Sequence, residues 1–125
     1  MSPHKLYAIR IFSFRWKESL EFYRDIIGLS LQHEDTELGW AQFQLGSSFL
    51  GLERCDPNDV ESLDLVGRFV GLSIEVSDIE SVYDDLTRKG VEFTSPPTLQ
   101  NWGGTLAHFS DPDKNIITLL GSPHG

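Results

Sequence analysis

One order of structural signals occurs twice along this chain, and that repetition constrains the fold more than any other feature. Residues 5–13 (KLYAIRIFS) alternate Ile9 and Ile11 with Ala8, Arg10 and Phe12, which is the period of a strand. A helical pattern follows over 16–27, where Trp16, Leu20, Tyr23 and Ile27 recur at helical spacing and Gly28 supplies a stop. Three short strand patterns come next, at 29–32, 40–45 and 48–53, and Gly46, Ser47 and Ser48 make a turn between the last two. The second stretch runs in the same order: strand 69–76, helix 77–89, then strands 91–94, 104–110 and 115–120. Its helix has a capping-box spacing at Ser77 and Glu80. Ile79, Val82, Tyr83 and Leu86 form its apolar stripe, and Gly90 ends it. Gly28-Leu29-Ser30-Leu31 aligns with Gly90-Val91-Glu92-Phe93 at an offset of 62. Each half therefore reads βαβββ, with module one over 5–53 and module two over 69–120. Residues 54–68 form an acidic connector with Asp56, Pro57, Asn58 and Asp59 as turn formers. The class is α+β. Two αβ units also suit a ferredoxin-like arrangement, and at this level both architectures stand.

A chain of 125 residues fits one domain, 1–125, and can bury a core without staples. Its apolar share of 39% and charged share of 23% are those of a globular protein. The net charge of −9 argues against nucleic acid and anionic membrane as partners, since both need basic surfaces. The same charge would favour a cationic ligand. Cys55 is the sole cysteine, so no intrachain disulfide can form. Residues 1–10 carry no apolar signal region, and no stretch approaches the roughly 18 apolar residues of a membrane span. The expected location is the cytoplasm.

Three motifs, in order, carry a resemblance to a known family. Ser19-Leu20-Glu21-Phe22-Tyr23-Arg24-Asp25-Ile26-Ile27-Gly28-Leu29 is similar to S-x-x-F-Y-x-x-x-L-G. Val76-Ser77-Asp78-Ile79 follows, with Gly90 downstream. Asn101-Trp102-Gly103-Gly104 then precedes Phe109-Ser110-Asp111-Pro112-Asp113-Lys114-Asn115, which resembles W-G…F-x-D-P-D-G-N. Over about residues 5–120 the chain resembles the vicinal oxygen chelate superfamily, which includes glyoxalase I, bleomycin-resistance proteins and extradiol dioxygenases. The resemblance implies two βαβββ modules whose strongly curved mixed sheets surround a cavity, with the helices outside. Asp111 to Asn115 read as a turn. Lys114 stands where the family has glycine, and a left-handed backbone there would cost Lys roughly 1–2 kcal/mol.

That arrangement gives each strand one face toward the helices and one toward the cavity. Ile9, Ile11, Ala41, Phe43, Leu45, Leu50, Leu52, Leu72, Ile74, Val76, Ala107, Phe109, Ile117 and Leu119 fall on the first and are all apolar. The second mixes aromatic, amide, charged and small residues, as a ligand cavity does. The candidate ligand-binding residues are Arg10, Phe12, Trp40, Gln42, Gln44, Glu53, Ser73, Glu75, Trp102, His108 and Thr118. Metal-dependent relatives hold a divalent ion from four strand positions that fall here on Ala8, Gly51, Gly71 and Thr118. None offers imidazole, carboxylate or thiolate. Of the histidines, His4 and His124 stand near the ends, and His33 and His108 lie in different halves. The expectation is no metal and no cofactor.

Three functions remain open. One is a binding protein of the bleomycin-resistance type, holding a small planar or cationic molecule without altering it. Another is a glyoxalase-type lyase or isomerase acting on a small carbonyl compound, by metal-free acid–base chemistry or with an unrecognised metal. Glu75 and His108 would then be catalytic. Arg10 would steady an anion or pair with Glu75. The third is an interaction module without a ligand. The resemblance further implies a homodimer with cavities at the subunit interface.

Overall fold

The structure is a computed structural model that describes residues 2–123. Contacts cluster into two compact units, Met1–Val66 and Gly67–Gly125, and each unit builds its own sheet. The α+β class and the doubled order of elements are both observed.

In the first unit β1 (Ala8–Ser13) leads into α1 (Trp16–Glu21), followed by β2 (Ser30–Asp35), β3 (Trp40–Leu45) and β4 (Ser48–Arg54). The sheet order is β1-β4-β3-β2, with β1 parallel to β4 and the other pairs antiparallel. Ile9 pairs with Leu50 and Leu50 with Phe43, while Ile11 pairs with Leu52 and Leu52 with Ala41. These two apolar rows form the core with Trp16, Leu20 and Tyr23 of the helical segment, and all but Ile9 are buried. The Trp16 indole donates to the Leu52 carbonyl at 3.0 Å, which fixes α1 over β4.

The predicted helix over 16–27 is α-helical only to Glu21. Phe22–Ile26 forms a π-helical turn, in which Ile27 N–H reaches the Phe22 carbonyl and Leu29 N–H the Tyr23 carbonyl. Phe22 and Tyr23 are both buried, and the wider turn lets these sequence neighbours face the core together. Strand β2 also differs from its expected 29–32 span. It runs on through His33, Glu34 and Asp35, with a register shift between Leu31 and His33. Its polar second half has no alternation to read.

The second unit has β5 (Phe69–Val76), α2 (Ile79–Arg88), the short β6 (Glu92–Phe93) and β7 (Thr98–Leu99), β8 (Thr105–Ser110) and β9 (Ile116–Gly121). The order β5-β9-β8-β6 repeats the first sheet, again with a parallel outer pair, and β7 pairs β8 off this path. Strand β7 has no counterpart in the expected pattern, and β6 is shorter than 91–94. The N-cap of α2 is Asp78, whose carboxylate accepts from Ser81 N–H, so the expected Ser77–Glu80 box is displaced by one residue. Gly28 and Gly90 close the two helical segments with φ of 86° and 91°, as their matched positions predict. Within the connector, Val60–Asp64 form a 3-10 turn capped by Asp59. No helix among the described residues is long and apolar enough to cross a membrane.

The turn from β8 to β9 holds the second unit together. Asp111 Oδ1 accepts from the Asp113 and Asn115 backbone N–H groups, both at 2.9 Å. Asn115 Oδ1 in turn accepts from Gly67 and Arg68, which ties the start of the unit to this turn. Lys114 sits in the left-handed region with φ of 69°, where a side chain is strained. Lys114→Gly relieves that strain and should raise unfolding stability in urea by about 1 kcal/mol. Asp111→Ala leaves buried N–H groups without an acceptor and should lower it by roughly 2–4 kcal/mol. An unchanged midpoint for both variants would contradict these roles in the turn.

Candidate functional site

In the first unit the register that buries the apolar rows gathers the candidate residues on the opposite face. Phe12 pairs with Glu53 and Glu53 with Trp40. Arg10 pairs with Gly51, Gly51 with Gln42, and Gln42 with His33. Ala8 pairs with Phe49 and Phe49 with Gln44. Paired residues point to one side of a sheet, so Arg10, Phe12, Trp40, Gln42, Gln44 and Glu53 share this face. His33 joins them, although the expected end of β2 at Gln32 leaves it outside the sheet. Tyr7, one residue before β1, joins them through its hydroxyl, which donates to Gln42 Oε1 at 3.4 Å.

The charged pair on this face is internal to it. Arg10 Nη1 meets Glu53 Oε1 at 3.0 Å, and the Arg10 guanidinium lies 5.2 Å from the Phe12 ring centre. Sequence leaves Arg10 open to pairing with Glu75; the carboxylate it finds is Glu53. The pair is exposed, and such pairs contribute at most about 1 kcal/mol. Its consequence is that the Glu53 charge is already compensated.

Gly51 is not the open slot that its size suggests. A Cβ there would overlap the Trp40 ring, so the indole lies across β4 at this residue. Trp40 Nε1 donates to Gln42 Oε1 at 3.3 Å. Gln44 braces the sheet instead, since its amide donates to the Gly46 and Ser48 carbonyls of the β3–β4 turn.

The second unit repeats the device. Ser73 pairs with Thr118 and Thr118 with His108, and one row along, Glu75 pairs with Leu120 and Leu120 with Leu106. His108 Nδ1 lies 2.8 Å from Thr118 Oγ1, and its ring packs edge-on to Phe69 at 5.7 Å. Thr118 is buried, so its hydroxyl is committed to the imidazole, and Nε2 is the nitrogen that can meet a ligand. Glu75 is exposed and has no hydrogen bond or ion pair among the described residues. Trp102 stands outside the paired strands. It lies in the β7–β8 turn, 55% exposed, with its ring over Gly104. Gly71 sits in a bulge of β5 with φ of 79°, between the Phe69–Ile116 and Ser73–Thr118 pairs.

Each unit can be tested against a metal on its own residues. Ala8 and Gly51 in the first and Gly71 in the second have no side-chain donor atom, and the Thr118 hydroxyl is held by His108. Among the described residues no three His, Cys, Asp or Glu side chains converge. His124 lies outside them. These residues do not fit a divalent ion.

A groove of about 570 Å³ opens beside α1, lined among others by Trp16, Arg24, Glu34 and Arg54 and by none of the polar-face residues. Its arginines are engaged, Arg15 with Glu18. Arg24 grips Asp25 through two bonds and holds that carboxyl below the usual range. Arg54 donates to the Thr36 and Glu37 carbonyls.

A family model for the Glyoxalase/Bleomycin resistance protein/Dioxygenase superfamily matches residues 5–119. An uncharacterized protein of Bacillus subtilis (strain 168), YraH, is 33% identical over 124 residues, covering 92% of this chain and 96% of that one. Among solved structures, a superfamily member from Sphaerobacter thermophilus DSM 20745 superposes with a TM-score of 0.80 at 24% identity, over 95% of this chain and 98% of the other. TnmS3, an antibiotic binding protein from Streptomyces sp. CB03234, gives 0.76 at 25% identity, over 95% and 96%.

The contact of Trp40 with Gly51 has a direct test. Gly51→Ala must displace the indole and should destabilise the protein by roughly 1–3 kcal/mol. In a Trp40→Phe background the same change should cost well under half as much, as measured by a double-mutant cycle in urea. Equal costs in both backgrounds would show that the indole does not lie there.

Proposed function

The chain belongs to the Glyoxalase/Bleomycin resistance protein/Dioxygenase superfamily, and from that premise we propose that it binds a small planar or cationic molecule without a catalytic metal. The observation that carries this reading is the polar face of each sheet. An apolar core explains the buried rows, but it gives no reason for Arg10, Trp40, Gln42 and Glu53 on one sheet and Ser73, Glu75 and His108 on the other. Aromatic walls with a few placed polar groups are what a ligand site requires. Glu75, which lacks a partner among the described residues, is the group available to a cation. Likeness to an antibiotic binding protein supports small-molecule binding.

The contact of His108 with Thr118 favours one second reading. An imidazole held at Nδ1 presents Nε2 in a fixed direction, which suits a general base acting on a carbonyl compound, with Glu75 as the other titrating group. A second copy of the chain belongs to the same proposal. β1 and β5 are edge strands with exposed Tyr7 and Phe69 beside or within them, and unpaired edges of this kind invite partners. Sizing should then give twice the chain mass.

Thermal unfolding across a panel of planar aromatic and cationic compounds tests the main reading. At least one compound should raise the melting temperature, through a stabilisation of about 2.7 kcal/mol at a hundredfold excess over Kd, and strong chelators should leave that shift unchanged. Silence across the whole panel would overturn it. Turnover that disappears in Glu75→Gln but survives chelation would establish the second reading; activity restored only by Zn²⁺ or Ni²⁺ would overturn the metal-free claim.

A further inference from the structure

Gln42 is held in one orientation by two neighbours. An indole N–H can only donate, so the Gln42 side-chain atom 3.3 Å from Trp40 Nε1 must be its oxygen. The Tyr7 hydroxyl donates to the same atom. With the oxygen held on both sides, the amide NH₂ is turned outward, and it has no hydrogen bond among the described residues. Gln42 is half-buried, so its two donors stand in a setting where hydrogen bonds discriminate more strongly than in open water. Beside them the far end of the Trp40 indole lies over Gly51. The nearby carboxylate, Glu53, is occupied by Arg10. This face therefore offers an aromatic surface and outward donors; of its carboxylates, Glu53 is paired with Arg10, and Asp35, opposite Trp40, accepts from Leu38 N–H.

We infer that the first unit selects planar ligands that carry a carbonyl or carboxylate oxygen on the ring edge, with Gln42 as the specificity-determining donor, Trp40 as the stacking surface and Tyr7 as a positioning residue. The inference rests on the small-molecule reading above and narrows it. Ring stacking on Trp40 supplies affinity for any flat molecule. The Gln42 amide adds a preference for an acceptor, since a flat molecule without one would cover two N–H donors and leave them unpaired. Tyr7 acts through Gln42: without its hydroxyl the amide is steered by Trp40 alone.

9-Fluorenone and fluorene make a matched pair of probes, differing in one ring carbonyl. Titrated by fluorescence or calorimetry, the protein should bind fluorenone about threefold to tenfold more tightly than fluorene. Gln42→Glu removes the donors and should erase the preference, so that fluorenone no longer binds more tightly than fluorene. Tyr7→Phe, which removes one hydroxyl from an exposed ring, should reduce the preference without abolishing it. Equal affinity of the unaltered protein for both probes, or a preference that survives in Gln42→Glu, would overturn the role of Gln42 and leave the small-molecule reading in place. Binding of neither probe would overturn this inference together with the reading beneath it.

Discussion

Strand β4 lies between β1 and β3, and the register of those two pairings is the constraint on which the first unit depends. Because side chains alternate with a period of two, a single choice of register places Ile9, Leu50 and Phe43 in one buried row and Arg10, Gly51 and Gln42 in the row facing the other way. A slip of one residue would bury Arg10 and Glu53 and expose Leu50 and Leu52. The cost of leaving charges unpaired in a core, together with the loss of apolar burial, is many times RT. Stability and the candidate site are thus two consequences of one pairing. Packing selects the register, and the register assembles the polar face.

The second unit reaches the same result with a different anchor. Strand β9 is central, between β5 and β8, and the turn that delivers it is built from side chains as well as backbone. Asp111 organises the turn and Asn115 fastens it to Gly67 and Arg68. Three residues beyond Asn115, Thr118 is directed at His108. The bulge at Gly71 changes the local pairing of β5, so that Ser73, two residues later, is the one opposite Thr118. Fold-stabilising residues and those of the polar face alternate along the same few strands in both units.

The parts of this design that obey a period are legible in the sequence. Strands β3 and β5 follow from alternation to the residue, the helical stops at Gly28 and Gly90 fall where the glycines stand, and the apolar faces need no other signal. The strain at Lys114 follows from the turn residues around it. What escapes has no periodic signature. The π-helical turn at Phe22–Ile26 shares its spacing with an α-helix. The end of β2 carries His33, Glu34 and Asp35 with no apolar alternation, so the sequence does not place His33 on the polar face. Side-chain conformation is also hidden. Gly51 looks like vacant space in the sequence, and only the structure places the Trp40 ring over it. The sequence likewise gives no sign that the Trp102 ring lies over Gly104 in the turn before β8. Gln42 and Gln44 are two residues apart and chemically alike, but one turns its amide outward and the other spends it on the β3–β4 turn.

The central claim is that the polar faces bind ligand and the apolar faces are core. The indole N–H groups of Trp40 and Trp16 report on opposite faces of one sheet, since Trp40 bonds Gln42 on the polar face and Trp16 bonds the Leu52 carbonyl on the helix side. Proton–nitrogen correlation spectra recorded during titration with a set of planar aromatic fragments would follow both signals at once. Saturable shifts of the Trp40 indole and the Gln42 amide, with the Trp16 indole unmoved, are the predicted result. Shifts confined to Trp16, or no response at Trp40 to any fragment, would contradict it.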